Sequence, residues 1–105
     1  MLKTSVEIFN NNGEQDYYLL NIVTEEITFS IPLNTDEFLI VESCLESVLY
    51  QSIEDISLEM CSVKANKKRN MVTIRFTNYV PIMSFTLQRS EAITLLHRIK
   101  ELLLS

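Results

Sequence analysis

Residues 71–78, MVTIRFTN, alternate apolar and polar side chains: Val72, Ile74 and Phe76 to one side, Thr73, Arg75 and Thr77 to the other. That period of two predicts a half-buried strand. A two-residue break at Asn78-Tyr79 predicts a short connection to a second strand, VPIMSFTL, with Met83, Phe85 and Leu87 on one face. Pro81 has no N–H, so the strand is expected to start there or to lie with that position facing solvent. The period then changes. Ala92, Leu95, Leu96, Ile99, Leu102 and Leu103 recur at intervals of three and four, predicting an amphipathic helix with Ser90 as N-cap and Glu91 in its first turn.

The same plan occurs 54 positions earlier. Tyr18, Leu20 and Ile22 correspond to Val72, Ile74 and Phe76, and Ile27, Phe29 and Ile31 to Pro81, Met83 and Phe85. Asn34 followed by Glu37 has the spacing of a capping box, with Asn in place of Ser or Thr. Phe38, Val41, Leu45, Val48 and Leu49 then match Ala92, Leu95, Ile99, Leu102 and Leu103, while Glu42 breaks the register opposite Leu96. A leading strand precedes each copy, LKTSVEIF before Asn10–Gly13 and DISLEMCSV before Lys67–Asn70. Both loops are expected to be hairpin turns, Asn12-Gly13 having the stronger turn chemistry.

The chain therefore reads βββα-βββα, a single α+β domain over residues 1–105 with repeats at about 1–50 and 54–105. Two one-sided helices need a surface to cover. The expected architecture is a mostly antiparallel six-stranded sheet with both helices packed on one face, related by a pseudo-twofold. The other face would be half wet, carrying Lys3, Ser5, Glu7, Thr28, Ser30, Ser57, Glu59, Thr73, Arg75 and Thr77. Strict alternation also sends Phe9, Tyr17, Leu19 and Val23 outward, an apolar patch of the kind that marks a contact. Leu39, Ile40 and Cys44 lie off the main stripe of the first helix, which predicts deeper burial of that helix or a dimer or partner surface. Tyr17, Leu19, Leu39 and Ile40 are the candidate protein contacts.

The net charge of −5 disfavours a general polyanion binder. It is unevenly spread. Residues 1–52 hold Lys3 against nine acids, a net of −8, and residues 53–105 hold eight bases against five acids, a net of +3. Packed halves of opposite charge attract each other; alternatively, one half presents a field to a partner. The basic turn VKANKKRN supplies candidate anion or nucleic-acid contacts: Lys64, Lys67, Lys68 and Arg69, with Arg75 on the neighbouring strand.

Candidate chemistry is sparse. One histidine, His97, and two cysteines, Cys44 and Cys61, offer neither a Cys-x-x-Cys nor a His pair for zinc. Gly13 is the single glycine, too few for a phosphate-cradling loop. The acidic pairs Glu25-Glu26, Asp36-Glu37 and Glu54-Asp55 fit turns and helix starts. No catalytic residue, cofactor, metal or small-molecule ligand is expected. The cysteines suit a reducing compartment, where each is a small buried hydrophobe, with a disulfide between them the minor alternative. With no signal peptide or membrane span evident, a cytoplasmic location is expected.

A strand-rich repeat ending in a helix and used twice is similar in outline to the Whirly and PUR families of single-strand nucleic-acid binders. Their repeats have four strands before the helix, where three are read here, and they carry a basic, aromatic sheet face that the first half of this chain lacks. The resemblance implies a nucleic-acid binder and brings no site residues with it. The residues themselves favour a non-enzymatic module that binds another protein or itself as a homodimer, in the manner of small regulators, inhibitors and immunity proteins. Single-stranded nucleic-acid binding is the alternative.

Overall fold

The computed structural model describes residues 3–11, 15–23 and 28–104, with side-chain surroundings described from residue 18 onward. The fold is α+β. Strands β1 (Lys3–Asn11), β2 (Gln15–Val23) and β3 (Thr28–Leu33) lead into helix α1 (Thr35–Tyr50). Strands β4 (Asp55–Leu58), β5 (Cys61–Asn66), β6 (Met71–Phe76) and β7 (Met83–Gln88) lead into helix α2 (Arg89–Leu104).

The expected single six-stranded sheet is not what forms. Among the described residues there are two antiparallel sheets, β1-β2-β3 and β4-β5-β6-β7, with no ladder between them. The additional strand comes from DISLEMCSV, which folds back on itself. Glu59, at φ 44°, opens a tight turn, and Leu58 pairs with Cys61. Alternation through that stretch suggested one strand, because a turn without glycine, proline or asparagine leaves little trace in a sequence.

The helices do not share one face of one sheet either. They pack on each other, and each reaches both sheets. Helix α1 lies against β4 and β5 and also contacts β2 and β3; α2 lies against β1 and also contacts β6 and β7. Cys44 explains how α1 manages this. It lies off the main stripe and is fully buried, and its thiol donates to the Cys61 carbonyl of β5 at 3.9 Å. On another side of α1, the Phe38 ring stacks on Tyr18 of β2, with centroids 3.8 Å apart and planes 7° from parallel. A helix apolar on more than one stripe buries more than one stripe.

The alternation within strands holds. Tyr18, Leu20, Ile22, Ile31 and Leu33 from the first sheet share one core with Val63, Val72, Ile74, Phe76 and Leu87 from the second. Phe38, Val41, Leu45, Val48 and Leu49 of α1, and Ala92, Leu95, Leu96 and Ile99 of α2, fill it. The Asn34 capping box is present: the Asn34 side chain accepts from the Glu37 N–H at 2.8 Å, and Glu37 accepts from the Asn34 N–H at 3.0 Å. At α2, however, the helix begins one residue before Ser90. Glu91 instead accepts from the N–H of Gln88 at 3.1 Å, and the Ser90 carbonyl is taken by Thr94.

The connection before β7 is also longer than a two-residue hairpin. It spans Thr77–Ile82, and Pro81 falls in it rather than in the strand, consistent with its missing donor. The loop at Asn12-Gly13 and residue Ile27 lie outside the described residues. The Lys67–Asn70 segment is the turn between β5 and β6 that was expected.

Helix α1 ends with the Gln51 and Ile53 N–H groups both donating to the Ser47 carbonyl, at 3.2 Å each. Between them Ser52 sits at φ 57°, a left-handed conformation that glycine adopts without a Cβ clash. Ser52→Gly is expected to stabilise the protein by about 0.5–1 kcal/mol, relief of the clash outweighing glycine's greater freedom in the unfolded chain. Urea denaturation at neutral pH measures it, and a lower midpoint would contradict this account of the helix end.

Candidate contact surfaces

The described candidate protein contacts, Leu19, Leu39 and Ile40, do not form one patch. Tyr17 lies on β2 opposite Phe9, and its side chain lies outside the described surroundings. Leu19 is half-buried on the side of the first sheet facing away from the core, opposite Pro32 of β3. Leu39 is 44% exposed, whereas Ile40 packs against the core. Because Phe38 stacks on Tyr18, α1 lies on the Tyr18 side of the sheet, and alternation turns Leu19 to the other. Leu19 and Leu39 therefore belong to different surfaces.

A different apolar surface joins the two sheets. Phe29 of β3, 44% exposed, and Ile82 before β7, 47% exposed, line one cleft of ≈ 430 Å³, together with Ile22, Met83 and Phe85. Ser84 and Thr86 give it a hydroxyl rim. Among the described residues, strands β3 and β7 are each the last strand of their sheets, and no ladder joins them. Each therefore offers an unpaired row of backbone groups near an apolar opening. Alternation placed Phe29 with Ile31 on a core face, correctly as to side. Nothing in the pattern marked that the two sheets would leave this end of the core uncovered.

Among the anion candidates, Lys64 and Arg75 share the outer face of the second sheet. Lys64 pairs with Thr73, two residues from Arg75 on β6, and both cations are exposed. Lys67, Lys68 and Arg69 are exposed in the turn at the edge of that face. Two of the five have acidic neighbours: Asp55 pairs across from Lys64, and Glu54 lies 3.6 Å from Lys67. The rest of the face is short and polar, with Thr73 and Thr86 hydroxyls bonded at 2.8 Å. None of the side chains on its described ladder positions is aromatic.

The groups with nucleophilic or acid–base chemistry are separated. His97 is exposed on α2 and bonds through Nε2 to the Tyr50 hydroxyl at 3.0 Å, the rings stacked 6.3 Å apart. Cys44 and Cys61 are free, buried and adjacent. The hydrogen bond to Cys44, reinforced by burial, pushes the Cys61 thiol well above its ordinary range. The bond Cys44 receives from Cys61 lowers Cys44 against an opposing effect of burial. Cys44 and His97 are thus not assembled as a nucleophile and base. No group of three or more metal-ligating side chains is present among the described residues, and none of the described helices is long and apolar enough to cross a membrane.

Two cross-helix contacts fix how α1 and α2 meet. Lys100 Nζ lies 3.0 Å from Glu46 Oε1, a contact that raises the lysine pKa, and Tyr50 meets His97 one turn away. As the chain advances along α1 its partners recede along α2, so the pair runs antiparallel. A comparison of the chain with protein-family models, curated proteins and solved structures finds no significant match.

Proposed function

We propose that this chain is a non-enzymatic interaction module, built from a duplicated strand-and-helix unit, that takes an apolar polypeptide segment into the cleft between β3 and β7. The observation that carries the reading is that cleft. Phe29 and Ile82 stand exposed beside two strand edges whose backbone groups seek partners. Pairing with a further strand is a common way to satisfy such edges, and the apolar pocket between them supplies the affinity. The occupant is either a second copy, giving a homodimer, or another protein. Cytoplasmic residence suits the two free thiols.

Two features support duplication. Glu46 and Lys100, which bond to each other, are 54 positions apart, the offset that aligns the two sequence copies. Contact between equivalent positions is what a twofold relation produces close to its axis. The helix starts also match: Glu37 accepts from the Asn34 N–H and Glu91 from the Gln88 N–H, again 54 apart.

Light scattering after size exclusion, combined with a photo-crosslinking side chain at position 82, tests the function. A dimer mass or a specific crosslinked polypeptide is the expected result. A monomer at 100 µM-range concentration with no crosslink to any polypeptide would overturn it.

Single-stranded nucleic-acid binding is the second reading, favoured by Lys64 and Arg75 lying on one sheet face with the basic turn at its edge. It makes a separate prediction. Replacing Lys67, Lys68 and Arg69 together with Gln should reduce the slope of log affinity against log salt by about 2 for a labelled oligonucleotide, at roughly 0.7 per lost phosphate contact. No retention of the oligonucleotide at low salt removes this reading.

A further inference from the structure

A second hollow, ≈ 200 Å³, lies where the end of α1 meets the β5–β6 turn and the start of α2. It is chemically unlike the apolar cleft and shares no lining residue with it. Its polar side carries Arg89, Lys67, Asn66, Asn70 and Ser52, and no carboxylate among the described residues lines it. Leu49 and Met71 contribute to its apolar side.

Two of the donors, Arg89 and Asn66, are held in place. Arg89 Nη2 donates to the Leu49 carbonyl at 2.7 Å, which anchors the partly buried guanidinium beside the end of α1. A guanidinium has five N–H donors, and this bond takes one. The Asn66 side-chain oxygen accepts from the Arg69 N–H at 3.2 Å, so its NH₂ group is the part left for outside contacts. The Asn70 carbonyl accepts from the Arg89 N–H at 3.0 Å, tying the turn to the start of α2. Three segments distant in sequence thus bring two cations and three neutral polar side chains around one small space.

We propose that this hollow binds a small oxyanion, with a phosphate monoester as the matching class. Two cations balance a group that carries about −1.5 to −2 at neutral pH. The planar fork of Arg89 suits two phosphate oxygens, and Lys67 adds a movable point charge. The volume is below the roughly 300 Å³ at which drug-sized pockets begin, so the phosphate comes with a small body. Leu49 and Met71 give that body an apolar wall.

Lys67 rests against Glu54 at 3.6 Å, and both side chains are mostly exposed, at 64% and 71%. Such a pair holds weakly. Anion binding re-aims Lys67 from Glu54 into the hollow, so Glu54 is a competitor for the site. Removing the competitor should tighten binding, an effect that damage to the fold would not mimic.

An NMR titration of the ¹H–¹⁵N spectrum with phenyl phosphate, inorganic phosphate and sodium chloride at matched ionic strength tests this. Saturable shifts confined to the surroundings of Lys67, Asn70 and Arg89 are expected with both phosphates, stronger with phenyl phosphate, and absent with chloride. Lys67→Gln should weaken binding about tenfold, the worth of one charge-assisted hydrogen bond. Glu54→Gln should tighten it several-fold. Both positions are exposed, so both variants keep the fold. Shifts that do not saturate, that spread equally to Lys68 and Arg98, or that ignore both substitutions would overturn the site. Removing Phe29 and Ile82 from the other cleft should leave phosphate binding unchanged, so this inference and the contact reading fail independently.

Discussion

Phe38→Ala is expected to cost about 3–5 kcal/mol, the usual range for deleting a buried aromatic ring. Phe38 is 1% exposed and its ring stacks on Tyr18, so the substitution removes both burial and a stacked pair. Its position makes the loss hard to repair. Phe38 sits in the first turns of α1 and ties that helix to the first sheet, while Cys44 ties the same helix to the second. Collapse around the vacated space would have to move a helix that is pinned elsewhere, so the cavity stays open. Domains of this size hold about 5–15 kcal/mol in total, and the variant should therefore sit close to its unfolding transition. In urea, the midpoint should fall by roughly 2 M at an ordinary slope. Leu39→Ala, one residue along and 44% exposed, should change stability by less than about 0.5 kcal/mol. Similar losses at both positions would mean that α1 is not oriented as described.

Replacing Phe29 and Ile82 together with Ser should weaken partner or self-association at least ~100-fold. Central apolar anchors of an interface typically contribute about 2 kcal/mol or more each, and each 1.4 kcal/mol is a factor of ten. Both side chains lie in the cleft between the sheets and remain more than 40% exposed in the single chain. Their loss should therefore leave urea stability within about 1 kcal/mol of the original. The separation of the two effects is what makes the experiment informative. Mass by light scattering at matched concentrations reads the association, and denaturation reads the fold. Unchanged association would exclude the cleft as the contact surface. Lost association with a collapsed urea midpoint would instead assign Phe29 and Ile82 to the core, contrary to their exposure.

The two substitutions act at different places in the fold. Helix α1 is the internal joint, buried on the side toward Tyr18 and on the side toward Cys61. The cleft is the part of the interior left open, where two sheets meet without sharing a ladder. The phosphate hollow lies at a third place, where Arg89 closes over the end of α1.

The amino-acid sequence by itself determined the local elements and their inner faces. The alternation of Val72, Ile74 and Phe76, and of Tyr18, Leu20 and Ile22, named side chains that are buried. The three-and-four spacing of Ala92, Leu95, Leu96 and Ile99 named the inner stripe of α2, and Asn34 with Glu37 fixed where α1 starts. These signals are legible because each depends on residues within one or two turns of one another. Surfaces are less legible because each is an agreement between distant segments: Leu19 and Leu39 lie on different sides of the first sheet, and Phe29 and Ile82 come to line one cleft only through the fold.

Tertiary structure alone decided that the strands form two sheets rather than one. Period-two alternation says which face a strand buries and leaves open which neighbour it bonds. It also decided which strand Cys44 packs against, that Glu59 turns the chain between β4 and β5, and that Arg89, Lys67 and Asn70 share one hollow. The physical reason is common to all of these. Hydrophobic burial is non-directional, so a pattern of apolar residues specifies that surfaces be covered, and the packing of whole elements settles what covers them.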